Sequence, residues 1–135
     1  MSRGVVAASL VIAALLPAGA RAHHAIGAVY DSAQPVTLEG AITAFHYINP
    51  HPFVEIQVIS GGRAATWRLE FDNLRELTAA GMTVETFKIG DSIAVTGSRA
   101  RDRSMSAYVR RLERPADGFL YEQVGSRPRL RTRGR

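Results

Sequence analysis

Val36-Thr37-Leu38-Glu39-Gly40-Ala41-Ile42-Thr43-Ala44 alternates apolar and polar side chains. Successive side chains of a strand point to opposite faces, so the stretch predicts a half-buried β-strand with Val36, Leu38, Ile42 and Ala44 toward the core. The same parity puts His46 on the core side. Gly40 in mid-strand predicts a bulge or sharp bend, which a small closed barrel needs. Asn49-Pro50-His51-Pro52 then stops the pattern, because proline cannot donate to a ladder and forces the preceding residue to be extended.

Working outward, Phe53 to Ser60 alternates again, with Val54, Ile56 and Val58 inward. Gly61-Gly62 reads as a hairpin turn. Ala65 to Phe71 forms a third strand that lines up Trp67, Leu69 and Phe71, with Trp67, the sole tryptophan, as the core anchor. A short helix follows. Asp72 or Asn73 caps it, Leu74 and Leu77 share a face, and Gly81 supplies a left-handed stop. Ser92 to Gly97 and Ala107 to Glu113 read as the fourth and fifth strands. The expected fold is therefore mainly β: a five-stranded OB-like Greek-key barrel with one short helix between strands 3 and 4. A plain β-sandwich with an incidental helix is the alternative.

The chain opens with one positive charge at Arg3, an apolar run from Val5 to Leu16, and Ala20-Arg21-Ala22. These are the three parts of a secretory signal peptide, and the apolar run is too short to span a bilayer as a helix. The expected organisation is a signal peptide at 1–22, an N-terminal arm at 23–35, the barrel at 36–118 and a disordered arginine-rich tail at 119–135. Export through a cleaved signal peptide places the mature protein in the periplasm. Cleavage after Ala22 makes His23 the new N-terminus.

The mature part has 113 residues, enough for one domain, and no run that could span a membrane. Cysteine is absent, which excludes disulfides, thiolate nucleophiles and thiolate metal sites. The net charge of +5 is unevenly placed: without Arg3 and Arg21 there are 15 basic and 12 acidic residues, or +3. Five arginines, at 127, 129, 131, 133 and 135, crowd the end, and without them the balance is 10 against 12, or −2. A mildly acidic body argues against nucleic-acid binding by the domain surface. The tail is suited to an acidic envelope protein or an anionic surface. Arg99, Arg101 and Arg103 share one side if the fourth strand continues that far, where they would bind an anion or guard the strand end.

His23-His24, Tyr30-Asp31, Val36-Thr37-Leu38-Glu39-Gly40, Asn49-Pro50-His51, Trp67-Arg68-Leu69-Glu70 and Ile89-Gly90-Asp91 occur in that order and spacing. With these elements the chain resembles a family of small exported bacterial proteins, domain-of-unknown-function family 6152, over about residues 23 to 118. The resemblance implies an exported β-barrel and brings no established activity with it. The chain has Ala25-Ile26 where members often carry serine and phenylalanine, and Tyr47 where many carry tryptophan.

All four histidines, His23, His24, His46 and His51, fall within residues 23–51. Copper(II) and nickel(II) favour imidazole and amine nitrogens, and zinc takes the same ligands tetrahedrally. A histidine at a free terminus offers an α-amine and an imidazole that chelate one ion, and metal binding displaces the amine proton at neutral pH. His23, His24 and His51 are the candidate metal ligands, with copper as the first candidate cofactor, provided the arm folds back beside the Asn-Pro-His loop. The arrangement would resemble a histidine brace. The alternative leaves the paired histidines solvated and makes His51 a loop residue bonded to a nearby carbonyl. Glu39, Glu55 and Glu70 form no evident acid–base pair, and no nucleophile or phosphate-loop motif is present. The expected function is a monomeric, non-catalytic binding domain, with an envelope accessory or protein-interaction module as the alternative.

Overall fold

Tyr30–His46 is one continuous strand, β1, in the computed structural model, which describes residues 26–132. Six more strands and one helix follow: β2 (Phe53–Ser60), β3 (Arg63–Glu70), α1 (Leu74–Ala79), β4 (Ser92–Ala100), β5 (Ser106–Arg114), β6 (Phe119–Val124) and β7 (Arg127–Arg131). The protein is thus mainly β, one sheet of seven strands with one short helix between β3 and β4. The strand order is β3-β2-β1-β4-β5-β6-β7, with a further pairing of β3 to β5.

That further pairing closes the first five strands on themselves. Neighbours in the sheet run antiparallel, whereas Arg68, Leu69 and Glu70 of β3 lie parallel to Ser106, Ala107 and Tyr108 of β5. β1 serves both halves of the ring. It pairs with β4 from Tyr30 to Ala41 and with β2 from Ala41 to His46. Gly40 sits where the two pairings meet, and a Cβ there would run into the backbone carbonyl of Gln57. The register on either side of Gly40 is unbroken. The bulges in β1 fall between Asp31 and Pro35, and between Ile42 and Ala44.

The second bulge corrects the reading of His46. One extra residue shifts parity, so Phe45 and Tyr47 pack toward the core and His46 stacks on Phe53 with ring centroids 4.3 Å apart. Leu38, Ile42, Val54, Ile56, Trp67, Leu69 and Phe71 are buried in one cluster, as the alternation requires. Each such side chain contributes roughly 1.5–3 kcal/mol by leaving water. α1 begins at Asn73, whose side chain accepts from the Glu76 N–H at 3.0 Å, and Leu77 plugs into the core. Gly81 follows with a φ of 100°.

Two further boundaries differ from the sequence reading. The arm is ordered sheet from Tyr30 onward, because Asp31 and Tyr30 pair with Arg99 and Ala100. The supposed disordered tail carries β6 and β7, so the sheet has seven strands and not five. Phe119 and Tyr121 are buried, Gly125 takes the positive φ of a tight turn, and Leu130 packs on the main core. Residues 133–135 and the signal peptide at 1–22 lie outside the described residues.

Candidate functional site

His51 is held by a staple of three hydrogen bonds between its loop and the start of α1. Proline cannot donate but its carbonyl accepts freely. The Phe71 N–H donates to the Pro52 carbonyl at 2.9 Å, and the Leu74 N–H donates to the Pro50 carbonyl at 3.1 Å. Between them His51 Nδ1 stands 3.1 Å from the Phe71 carbonyl oxygen. A carbonyl only accepts, so Nδ1 carries a proton, and in the neutral ring Nε2 keeps its lone pair. This is the hydrogen bond the solvated-histidine reading foresaw. It is also the bond that orients an imidazole for a metal.

The other wall of the site is the end of the arm. Residues 26–29 are helical and lead into β1. Arg101 grips this segment through its backbone N–H on the Val29 carbonyl at 2.9 Å, its Nε on the Gly27 carbonyl at 3.0 Å, and an ion pair with Asp31 at 3.3 Å. Ile26 packs on a small cluster of Tyr30, Ala100 and Tyr108. Tyr30 donates from its hydroxyl to Glu70 at 2.8 Å, and burial pushes its phenol up to about 12. Gly27 and His51 consequently line one cavity of about 200 Å³, together with Asp72, Tyr108, Arg110 and Gln123.

The cavity is polar. Asp72 is almost fully buried, and its carboxylate accepts from the Asn73 N–H at 2.7 Å, Asn73 Nδ2 at 3.2 Å and Gln123 Nε2 at 2.7 Å. Burial raises the Tyr108 phenol well above its ordinary value, and the nearby Asp72 charge adds to the effect.

Of the three histidines read as metal ligands, His51 faces this cavity, while His23 and His24 lie outside the described residues. His46 is on the outer face beside Phe53, where the Arg68 guanidinium carbon is 3.6 Å from the ring centroid. Among the described residues no group of three or more histidine, aspartate or glutamate side chains could hold a metal ion. The three arginines read as one row do not act together. Arg99 lies over Trp67 at 5.4 Å, Arg101 clamps the arm, and Arg103 occupies a turn with a φ of 62°. Sequence reasoning missed Tyr108, Arg110 and Gln123: the first two read as ordinary strand residues, and Gln123 falls in the stretch read as a disordered tail.

A model for a family of unknown function (DUF6152) matches residues 10–108. The chain belongs to that family. The matched span of this DUF6152 protein includes the arm, the His51 loop, α1 and the Tyr108 position. No curated protein matches it. Among solved structures it is similar to a crystal structure of the mitochondrial single-stranded DNA binding protein Rim1 from S. cerevisiae, at 14% identity and a TM-score of 0.44. That alignment covers 61% of this chain and 94% of the other. No helix among the described residues is long and apolar enough to cross a membrane.

Proposed function

We propose that this protein is an exported, periplasmic, monomeric and non-catalytic binding domain built on an OB-like barrel of β1–β5. Its ligand is a transition metal, copper first. The His23 α-amine and imidazole chelate the ion, His51 Nε2 joins them, and His24 is the remaining donor. One observation carries this reading: Gly27 and His51 line the same cavity. Two residues, Ala25 and Ile26, separate His24 from Gly27, whose carbonyl oxygen is held by Arg101 Nε. The His51 tautomer supports it further, because the lone pair is left on the nitrogen that Phe71 does not use.

The test is a copper(II) titration of correctly processed protein, its N-terminus verified by mass spectrometry, beside His51→Ala. The variant is expected to bind at least about tenfold more weakly. Equal affinities would remove His51 from the site.

A second reading, an envelope interaction module, is favoured by Arg127, Arg129 and Arg131, all exposed on β7. Replacing these three by glutamine separates the readings. Loss of capture by envelope extracts, insensitive to chelators, supports interaction.

A further inference from the structure

The cavity beside His51 contains two donors that the metal reading does not use. Arg110, half-buried on β5, gives its Nε–H to Ser98 Oγ at 3.1 Å and lays its guanidinium 4.8 Å from the centre of the Tyr108 ring. The ion pairs among the described residues belong to Arg101, Arg111 and Arg114, so Arg110 has no carboxylate partner there. Its two Nη groups form the fork that matches a carboxylate side-on. Tyr108 is only 3% exposed, and among the described residues its hydroxyl makes no hydrogen bond. The hydroxyls of Tyr30, Tyr47 and Tyr121 each find one. A hydroxyl without a partner among the described residues, on a residue that lines the cavity, is free to donate to a ligand there.

Asp72 does not quench these donors, because it is already engaged by Asn73 and Gln123. It nevertheless leaves one negative charge in the cavity. That charge opposes a dianion much more than a monoanion. The volume of about 200 Å³ is below the range of drug-sized pockets and suits a ligand of a few heavy atoms.

We propose that this cavity binds a small monocarboxylate, whose oxygens take the Arg110 guanidinium fork and the Tyr108 hydroxyl. The site is independent of the metal reading and is tested on metal-free protein, so either can fail alone. Amide chemical shifts of the EDTA-treated full chain are followed during titration with sodium acetate. Sodium chloride at equal ionic strength and sodium phosphate serve as separate arms. Saturable shifts with acetate are expected at Tyr108, Arg110 and Gln123. Arg110→Gln should raise the acetate Kd at least about tenfold, and Tyr108→Phe about threefold or more. If Arg110→Gln does not fold, Arg110→Lys keeps the charge without the fork and should still weaken binding severalfold. Shifts no larger than those from chloride, or saturable binding unchanged in the variants, would overturn the assignment. So would tighter binding of phosphate than of acetate at pH 8.

Discussion

His51 Nδ1 and the Phe71 carbonyl oxygen, 3.1 Å apart, join the loop after β1 to the residue just beyond β3. The partner dictates the tautomer, and the tautomer dictates which nitrogen is open to a ligand. For the neutral imidazole, nitrogen NMR of the metal-free protein is expected to give a protonated, pyrrole-type Nδ1 and a bare, pyridine-type Nε2 at His51. A protonated Nε2 would mean that the Phe71 contact does not orient the ring.

Trp67 is buried beside Leu69 and Phe71, with Arg99 over its ring. Trp67→Ala leaves a large cavity among side chains that cannot collapse into it. Denaturant unfolding should register a loss of about 3–5 kcal/mol. A loss below about 1 kcal/mol would place Trp67 outside the core.

Gly97 lies at the bulge where β4 meets β5, and a Cβ there would come 2.5 Å from the Tyr108 carbonyl oxygen. The obstacle is backbone, so the strands themselves must part. Gly97→Ala is expected to cost about 1–3 kcal/mol. Gly27→Ala, where nothing lies within 4 Å, should stay within about 0.5 kcal/mol of the parent.

How much of this was legible in the sequence varies along the chain. Local alternation located β2 and β3, since Val54, Ile56, Trp67 and Leu69 each follow a period of two with no interruption. Asn73 and Gly81 bracketed α1 through the special chemistry of helix ends. His46 was misplaced because a bulge shifts parity without a residue signature, and Gly40 drew attention away from the step beside it. β7 was hidden by composition: Arg127, Arg129 and Arg131 read as a solvated charge run, while the half-buried Pro128 and Leu130 alternate with them. The cavity was the least legible part. Gly27, His51, Asp72 and Arg110 come from distant segments, joined through the β3–β5 pairing and the Arg101 clamp.

Alkaline pH should destabilise the fold through its buried phenols. Burial raises Tyr30 to about 12, and Tyr108 and Tyr121 are raised further by the same cause. A phenol whose folded pKa exceeds its unfolded value of about 10 contributes stability that is complete below pH 10. As pH climbs from 10 toward 12, the unfolded chain ionises first and that stability is lost. Thermal melting at stepped pH, read with phenolate absorbance, should show Tm falling above pH 10. A flat Tm up to pH 12 would contradict the burial of these tyrosines.

The proposed copper site depends on one nitrogen atom, the α-amine of His23. Copper(II) affinity should be measured for protein beginning with a free His23 amine and for the same protein with that amine acetylated. Acetylation should weaken binding at least about tenfold, since it converts an amine ligand into an amide. Indistinguishable affinities for the two forms would contradict it.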